Sequence, residues 1–202
     1  MTSRLLCVLT LAAIAIAIFT SHAVSQDPSP DAMAEMMKKM KAVTSPNERH
    51  KELERFLGTW DVEAKMVMPG MPPQASKCTA EIKWLIPGRW LGEELKGTLM
   101  GSPYHSFWIH GYDVYAKNYV TCGVNNMDTS MITLKGTVVD PTNKMVVQYG
   151  KLDEYTTGEL NKPIKSVMKI VDKDHHTLEV YDLGIGEHGA VVLEFNYSRK
   201  KS

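Results

Sequence analysis

The hydrophobic pattern divides the chain into three stretches. An apolar run occupies Leu5–Phe19 behind one early cation, Arg4. A helical rhythm follows across Asp31–Lys41, with Met33, Met36, Met37 and Met40 at i, i+3, i+4 and i+7. A second helical segment opens at Ser45-Pro46, where Ser45 reads as the cap, Pro46 as the first helical residue and Glu48 as the capping-box partner. Its apolar face is Leu53, Phe56 and Leu57, and Gly58 ends it. From Trp60 onward the period becomes two. Trp60, Val62, Ala64, Met66 and Met68 alternate with Asp61, Glu63 and Lys65, the mark of a strand with one wet face. Cys78, Ala80, Ile82 and Trp84 repeat the pattern against Lys77, Thr79, Glu81 and Lys83.

Ile86-Pro87-Gly88-Arg89 reads as a type II turn, because Pro presets the first central angle and Gly accepts the positive second one. The chain returns through Trp90–Leu99. Seven more strand-like runs follow: Tyr104–Tyr112, Asn118–Asn125, Met131–Val139, Lys144–Gly150, Ile164–Val171, Thr177–Leu183 and Ala190–Ser198. Turn residues separate them, and only Lys151–Pro163 reads as a longer loop. About ten short strands, uninterrupted by helix-length segments, predict an all-β sandwich or barrel and argue against parallel βαβ units.

Gly58-Thr59-Trp60, placed between a helix and the first strand, resembles the Gly-x-Trp signature of lipocalins and their calycin relatives. The resemblance implies that Trp60 plugs one end of a barrel beneath a cation from the last strand, a role for Arg199, with Gly58 at the corner. The runs His50–Trp60, Gly111-Tyr112-Asp113, Asp172–His176, Glu179–Asp182 and Glu194–Arg199 are similar to a bacterial family of exported barrels of unknown function, related in fold to lipocalins and nitrobindin-like haem barrels. The expected fold is therefore an antiparallel up-and-down calycin-like β-barrel of about ten strands, preceded by one or two short helices.

Composition changes this picture only at the margins. Residues 1–23, with small residues Ser21 and Ala23 at the end, have the layout of a secretory signal peptide. The apolar run is about fifteen residues, short of the roughly twenty a spanning helix needs. The expectation is a periplasmic or secreted protein without a membrane span after cleavage. Residues 24–45 then form a linker and the Met-rich helix, and 46–202 the barrel. Twenty-three cationic and twenty-three anionic side chains balance, so charge gives no argument for nucleic acid as a partner. Cys78 and Cys122 lie on strands about three apart and read as two free thiols.

Candidate chemistry is sparse. The nitrobindin-like resemblance implies a histidine presented to haem, but the final strand has none, His188 falls before it, and His110 is the remaining inward candidate. His105 and His110 are five apart and face opposite sides of a strand, so no metal site is expected there, and His175 and His176 read as solvated tip residues. The methionines read as adaptable apolar filler. No cofactor is expected and no catalytic motif occurs. Glu93 and Glu94 are neighbours on a strand, so one faces inward; a buried Glu beside His110 or a Tyr would point to acid–base chemistry. Trp84, Trp108, His110, Tyr149, Tyr181 and Phe195 are the candidates for the barrel interior. The expected function is binding of a small apolar molecule there. The alternative is an interaction module with a side-chain-filled bore, whose Met-rich helix docks on a partner or on a second copy as a homodimer. Haem binding and an uncharacterised enzyme activity are weaker readings.

Overall fold

Ten antiparallel strands close into a barrel, each paired with its neighbours in sequence and the last with the first. They are β1 (Gly58–Met66), β2 (Gln74–Ile86), β3 (Trp90–Leu99), β4 (Ser102–Asp113), β5 (Asn118–Asn125), β6 (Ile132–Val138), β7 (Met145–Glu154), β8 (Glu159–Ile170), β9 (His175–Asp182) and β10 (Ala190–Arg199). The computed structural model describes residues 29–201 apart from Pro69 and Met71. The expected signal peptide, its cleavage site and the start of the linker lie outside the described residues.

Helix α1 spans Pro30–Thr44, longer at both ends than the methionine periodicity indicates, and none of its residues is buried. The Ser29 hydroxyl accepts from the Ala32 amide at its start. Helix α2 (Glu48–Lys51) continues as a 3₁₀ segment, Glu52–Phe56. Its cap is Asn47 and not Ser45. The Asn47 side chain accepts from the Arg49 amide at 3.0 Å, and His50 Nδ1 accepts from the Asn47 amide at 3.1 Å. Asn is among the strongest capping residues, and an imidazole here performs the return half of the box that was expected of Glu48.

Alternation sets the wall. On β1 and β2, Trp60, Val62, Ala64, Cys78, Ala80 and Ile82 are all buried, while the residues between them are exposed. The β2–β3 turn is as its sequence demands: the Arg89 amide donates to the Ile86 carbonyl at 3.0 Å, and Gly88 has φ +68. The stretch Lys151–Pro163, expected as a loop, is instead the outer end of a hairpin. β7 runs to Glu154, β8 starts at Glu159, and the two pair with one register shift. This end carries polar residues on both faces, so the period-two signal that marks a half-buried strand is missing there.

One end of the barrel is sealed. Trp60 is 1 % exposed and its indole N–H donates to the Phe56 carbonyl at 2.8 Å. The Arg199 guanidinium lies 4.1 Å over the indole and donates to the Leu57 and Arg55 carbonyls at 2.6 and 2.7 Å. The last strand is thereby tied to the segment that enters the first. Gly58 is required at this corner: its φ is +122, and a Cβ there would stand 3.0 Å from Arg199 Nη1.

Candidate functional site

The inward residues enclose a cavity of about 650 Å³, within the range usual for small-molecule sites. Most of its wall is apolar, including Leu91, Leu95, Val146, Ile164, Leu178 and Phe195. It extends from the 3₁₀ segment at the sealed end to the turns at the opposite end, where Met66, Met68, Met100 and Met127 line it. Carboxylates of Asp128, Asp153, Glu154 and Asp182 also reach this mouth, with Lys162 held 2.7 Å from Asp182.

A belt of polar side chains crosses the interior. Glu93 is 6 % exposed and points inward from β3, while Glu94 points out. Tyr197 donates to Glu93 Oε1 at 2.9 Å, and His110 Nε2 stands 3.0 Å from Glu93 Oε2. His110 Nδ1 is 3.1 Å from Thr121 Oγ1, which donates to Gln148 Oε1 at 3.1 Å. Gln148 Nε2 donates in turn to the Tyr119 carbonyl at 3.1 Å.

The protons of this chain can be counted. A backbone carbonyl only accepts, so Gln148 must present its NH₂ to it and its oxygen to Thr121. Thr121 spends its hydrogen there and accepts from His110 Nδ1–H. One further proton therefore sits between His110 Nε2 and Glu93 Oε2. Burial alone would raise the Glu93 carboxyl, but hydrogen bonding and charge from His110, with the Tyr197 hydroxyl, outweigh it and hold the group below its usual range. Tyr197 is pushed well above its ordinary value by burial and by the Glu93 charge.

Beneath the belt lies His176, stacked on Tyr197 at 4.2 Å and meeting the Trp60 and Phe56 rings edge-on at 4.5 and 5.2 Å. Burial is the main reason its imidazole drops to about 4, with positive charge at Arg199 and His110 adding to it against the opposing pull of Glu93. In the unfolded chain it titrates near 6.5. Below that pH the unfolded state takes up a proton that the folded state resists, so the stability present above pH 6.5 falls away toward pH 4. Roughly 3 kcal/mol is expected to be lost over that window. Urea titrations at stepped pH should read this slope, and His176→Gln should flatten it.

The sequence-predicted residues separate cleanly. Trp108, His110 and Phe195 line the cavity. Tyr149 does not: it is 57 % exposed, because β7 turns Gln148 inward. Nor does Tyr181, which shares the outer face with Glu179, donates to it at 2.8 Å and lies under the Lys165 ammonium at 3.9 Å. Trp84 keeps the inward parity of β2 but packs, half-buried, outside the cavity; the β1–β2 ladder ends at Gly58 and Ile82, one step before it. His176, read as a solvated tip residue, is buried, and only His175 is exposed. His105 faces out against Glu94, and Cys78 and Cys122 are free. Thr121, Gln148, Ser166 and Tyr197 were missed, although alternation along β8 (Ile164, Ser166, Met168) marks Ser166 as inward.

Trp108 owes its position to a glycine. Its indole lies over Gly123 on β5, where an added Cβ would fall 2.2 Å from the ring, and its N–H donates to Ser106 at 3.0 Å. Gly123→Ala is expected to push the indole into the cavity and to cost about 1–3 kcal/mol. A shift in tryptophan emission together with a lower urea midpoint checks this.

Residues 45–199 match the model of a family described as "Protein of unknown function (DUF1579)". The chain belongs to this family. No curated protein matches it. Among solved structures, Rv2717c from M. tuberculosis is similar in fold, with TM-score 0.53 and 12 % identity over 78 % of this chain and 100 % of that one. The S-type phycobiliprotein lyase CPES from Guillardia theta is also similar, with TM-score 0.50 and 9 % identity over 81 % of this chain and 97 % of that one. At such identities the DUF1579 chain shares the fold of these proteins.

Proposed function

We propose that this DUF1579 barrel binds a small, largely apolar molecule in its interior, and that it does so as a periplasmic or secreted protein. The observation that carries the reading is the hollow bore: about 650 Å³, mostly apolar, with a few fixed polar groups. A bore filled by side chains, which the interaction-module reading requires, does not fit it. The fold likeness to a phycobiliprotein lyase is compatible with binding. The haem reading does not fit His110, because both its ring nitrogens are engaged, by Thr121 and by Glu93. The export part rests on residues 1–23.

An environment-sensitive apolar fluorophore should bind the full chain with a rise in its emission and a fall in that of the protein's tryptophans, since Trp108 forms part of the wall. Leu178→Trp, which narrows the bore from β9, should weaken the effect several-fold. Undiminished binding in that variant would place the site elsewhere.

A second reading has one specific support. Glu93, His110 and Tyr197 form a buried, proton-sharing group at the cavity wall, which is the kind of group that serves acid–base chemistry. Turnover of the bound molecule, lost in Glu93→Gln with binding retained, would favour it.

A further inference from the structure

The cavity's polar groups fall into two classes. Glu93, His110, Tyr197, Thr121 and Gln148 have committed their donors and acceptors to one another. Ser166 has not. It is 2 % exposed and lines the cavity, and its hydroxyl, committed to no protein group among the described residues, opens onto that space. It stands opposite Gln148 in the β7–β8 ladder, at the free end of the belt. No side-chain polar atom among the described residues is both sealed off and unpartnered, so the Ser166 hydroxyl is open to the cavity, where a ligand's polar group can meet it.

Charge decides what that group is. Within the belt, Glu93 and His110 share a proton and leave neither a free anion nor a free cation. At the mouth, Asp128, Asp153, Glu154 and Asp182 face a single ammonium, Lys162, which Asp182 already holds. The other lining cation, Arg55, belongs to the 3₁₀ segment at the sealed end. A carboxylate would be repelled at the mouth and would find no cation beside Ser166. An ammonium would be drawn to the mouth but would lose its solvation at the belt without a free carboxylate to meet it. An uncharged hydroxyl or carbonyl incurs neither cost.

We infer that the cavity selects an uncharged amphiphile, an apolar body whose hydroxyl or carbonyl bonds to Ser166, over carboxylates and amines of the same length. The inference rests on the binding function proposed above and names its ligand class. The test displaces the apolar fluorophore from the full chain with 1-dodecanol, dodecanoate and dodecylamine near neutral pH. Dodecanol should compete at least roughly tenfold better than either charged analogue, and Ser166→Ala should weaken dodecanol several-fold more than it weakens the fluorophore, which brings no hydroxyl to that point. Dodecanoate or dodecylamine competing as well as dodecanol would overturn the selection while leaving the binding function in place. So would unaltered dodecanol binding in Ser166→Ala, or no competition by any of the three. Failure of the fluorophore itself to bind would overturn both.

Discussion

Truncating Glu93 to alanine is expected to destabilise the barrel by about 3–5 kcal/mol, among the largest losses available from any single side chain here. The carboxylate is buried and accepts from Tyr197 and His110 on opposite sides of the bore. Removing it strands a Tyr hydroxyl and a protonatable imidazole in a low-dielectric interior, where each unpaired group carries its full desolvation cost. The pair itself contributes less than this loss suggests, since its members gave up water to form it. Replacing both Glu93 and His110 with leucine should therefore destabilise less than Glu93→Ala alone, whereas independent contributions would make the double change worse. Urea unfolding of the single and double variants distinguishes the two. A loss under about 1 kcal/mol for Glu93→Ala would mean that the carboxylate does not organise the belt.

The second large effect lies at the sealed end. Trp60→Ala removes the largest fully buried side chain, and a loss of about 3–5 kcal/mol is expected from cavity formation. It also withdraws the face on which Arg199 lies and opens a gap beside His176, which packs against the same indole. The Trp60–Arg199 contact alone is expected to show a coupling of about 0.5–1 kcal/mol in a double-mutant cycle with Arg199→Met. Because Arg199 also ties down the Leu57 and Arg55 carbonyls, Arg199→Met should loosen the 3₁₀ segment more than the loss of a single cation–π contact would. Amide exchange in Glu52–Leu57 reads that loosening.

How far the sequence reveals this molecule depends on what each strand touches. From Trp60 to Ala64 on β1 and from Lys77 to Lys83 on β2 the outward residues are polar and the inward ones apolar, so pattern and parity agree. On β7 they disagree. Met145, Val147 and Tyr149 form the more apolar set, yet they face out, and Val146 and Gln148 face in. The register against β6 and β8, together with the Gln148 bonds to Thr121 and Tyr119, overrides the hydrophobic count. Tyr181 was more readable: Glu179, two residues before it, marks the same face as wet. His176 was hidden by its neighbour, since a His-His pair beside a turn looks solvated until β9 sets one ring inward and the other out. Glu93 was legible as one of two alternatives, and His110 as an inward candidate. Their meeting follows from the β3–β4 register, which pairs Glu93 with Trp108 and Leu91 with His110 and so sets the two side chains diagonally on one face, a register that no local pattern encodes.

The interior cavity is the proposed binding site. Native mass spectrometry of the protein purified from its own host, before and after mild unfolding, tests this most directly. A discrete extra mass that leaves on unfolding, belonging to an uncharged and mostly apolar molecule, is the predicted result. A bare chain mass under the gentlest conditions, with the protein dimeric and no uptake of apolar probes, would contradict the account and favour a barrel that works through its outer surface.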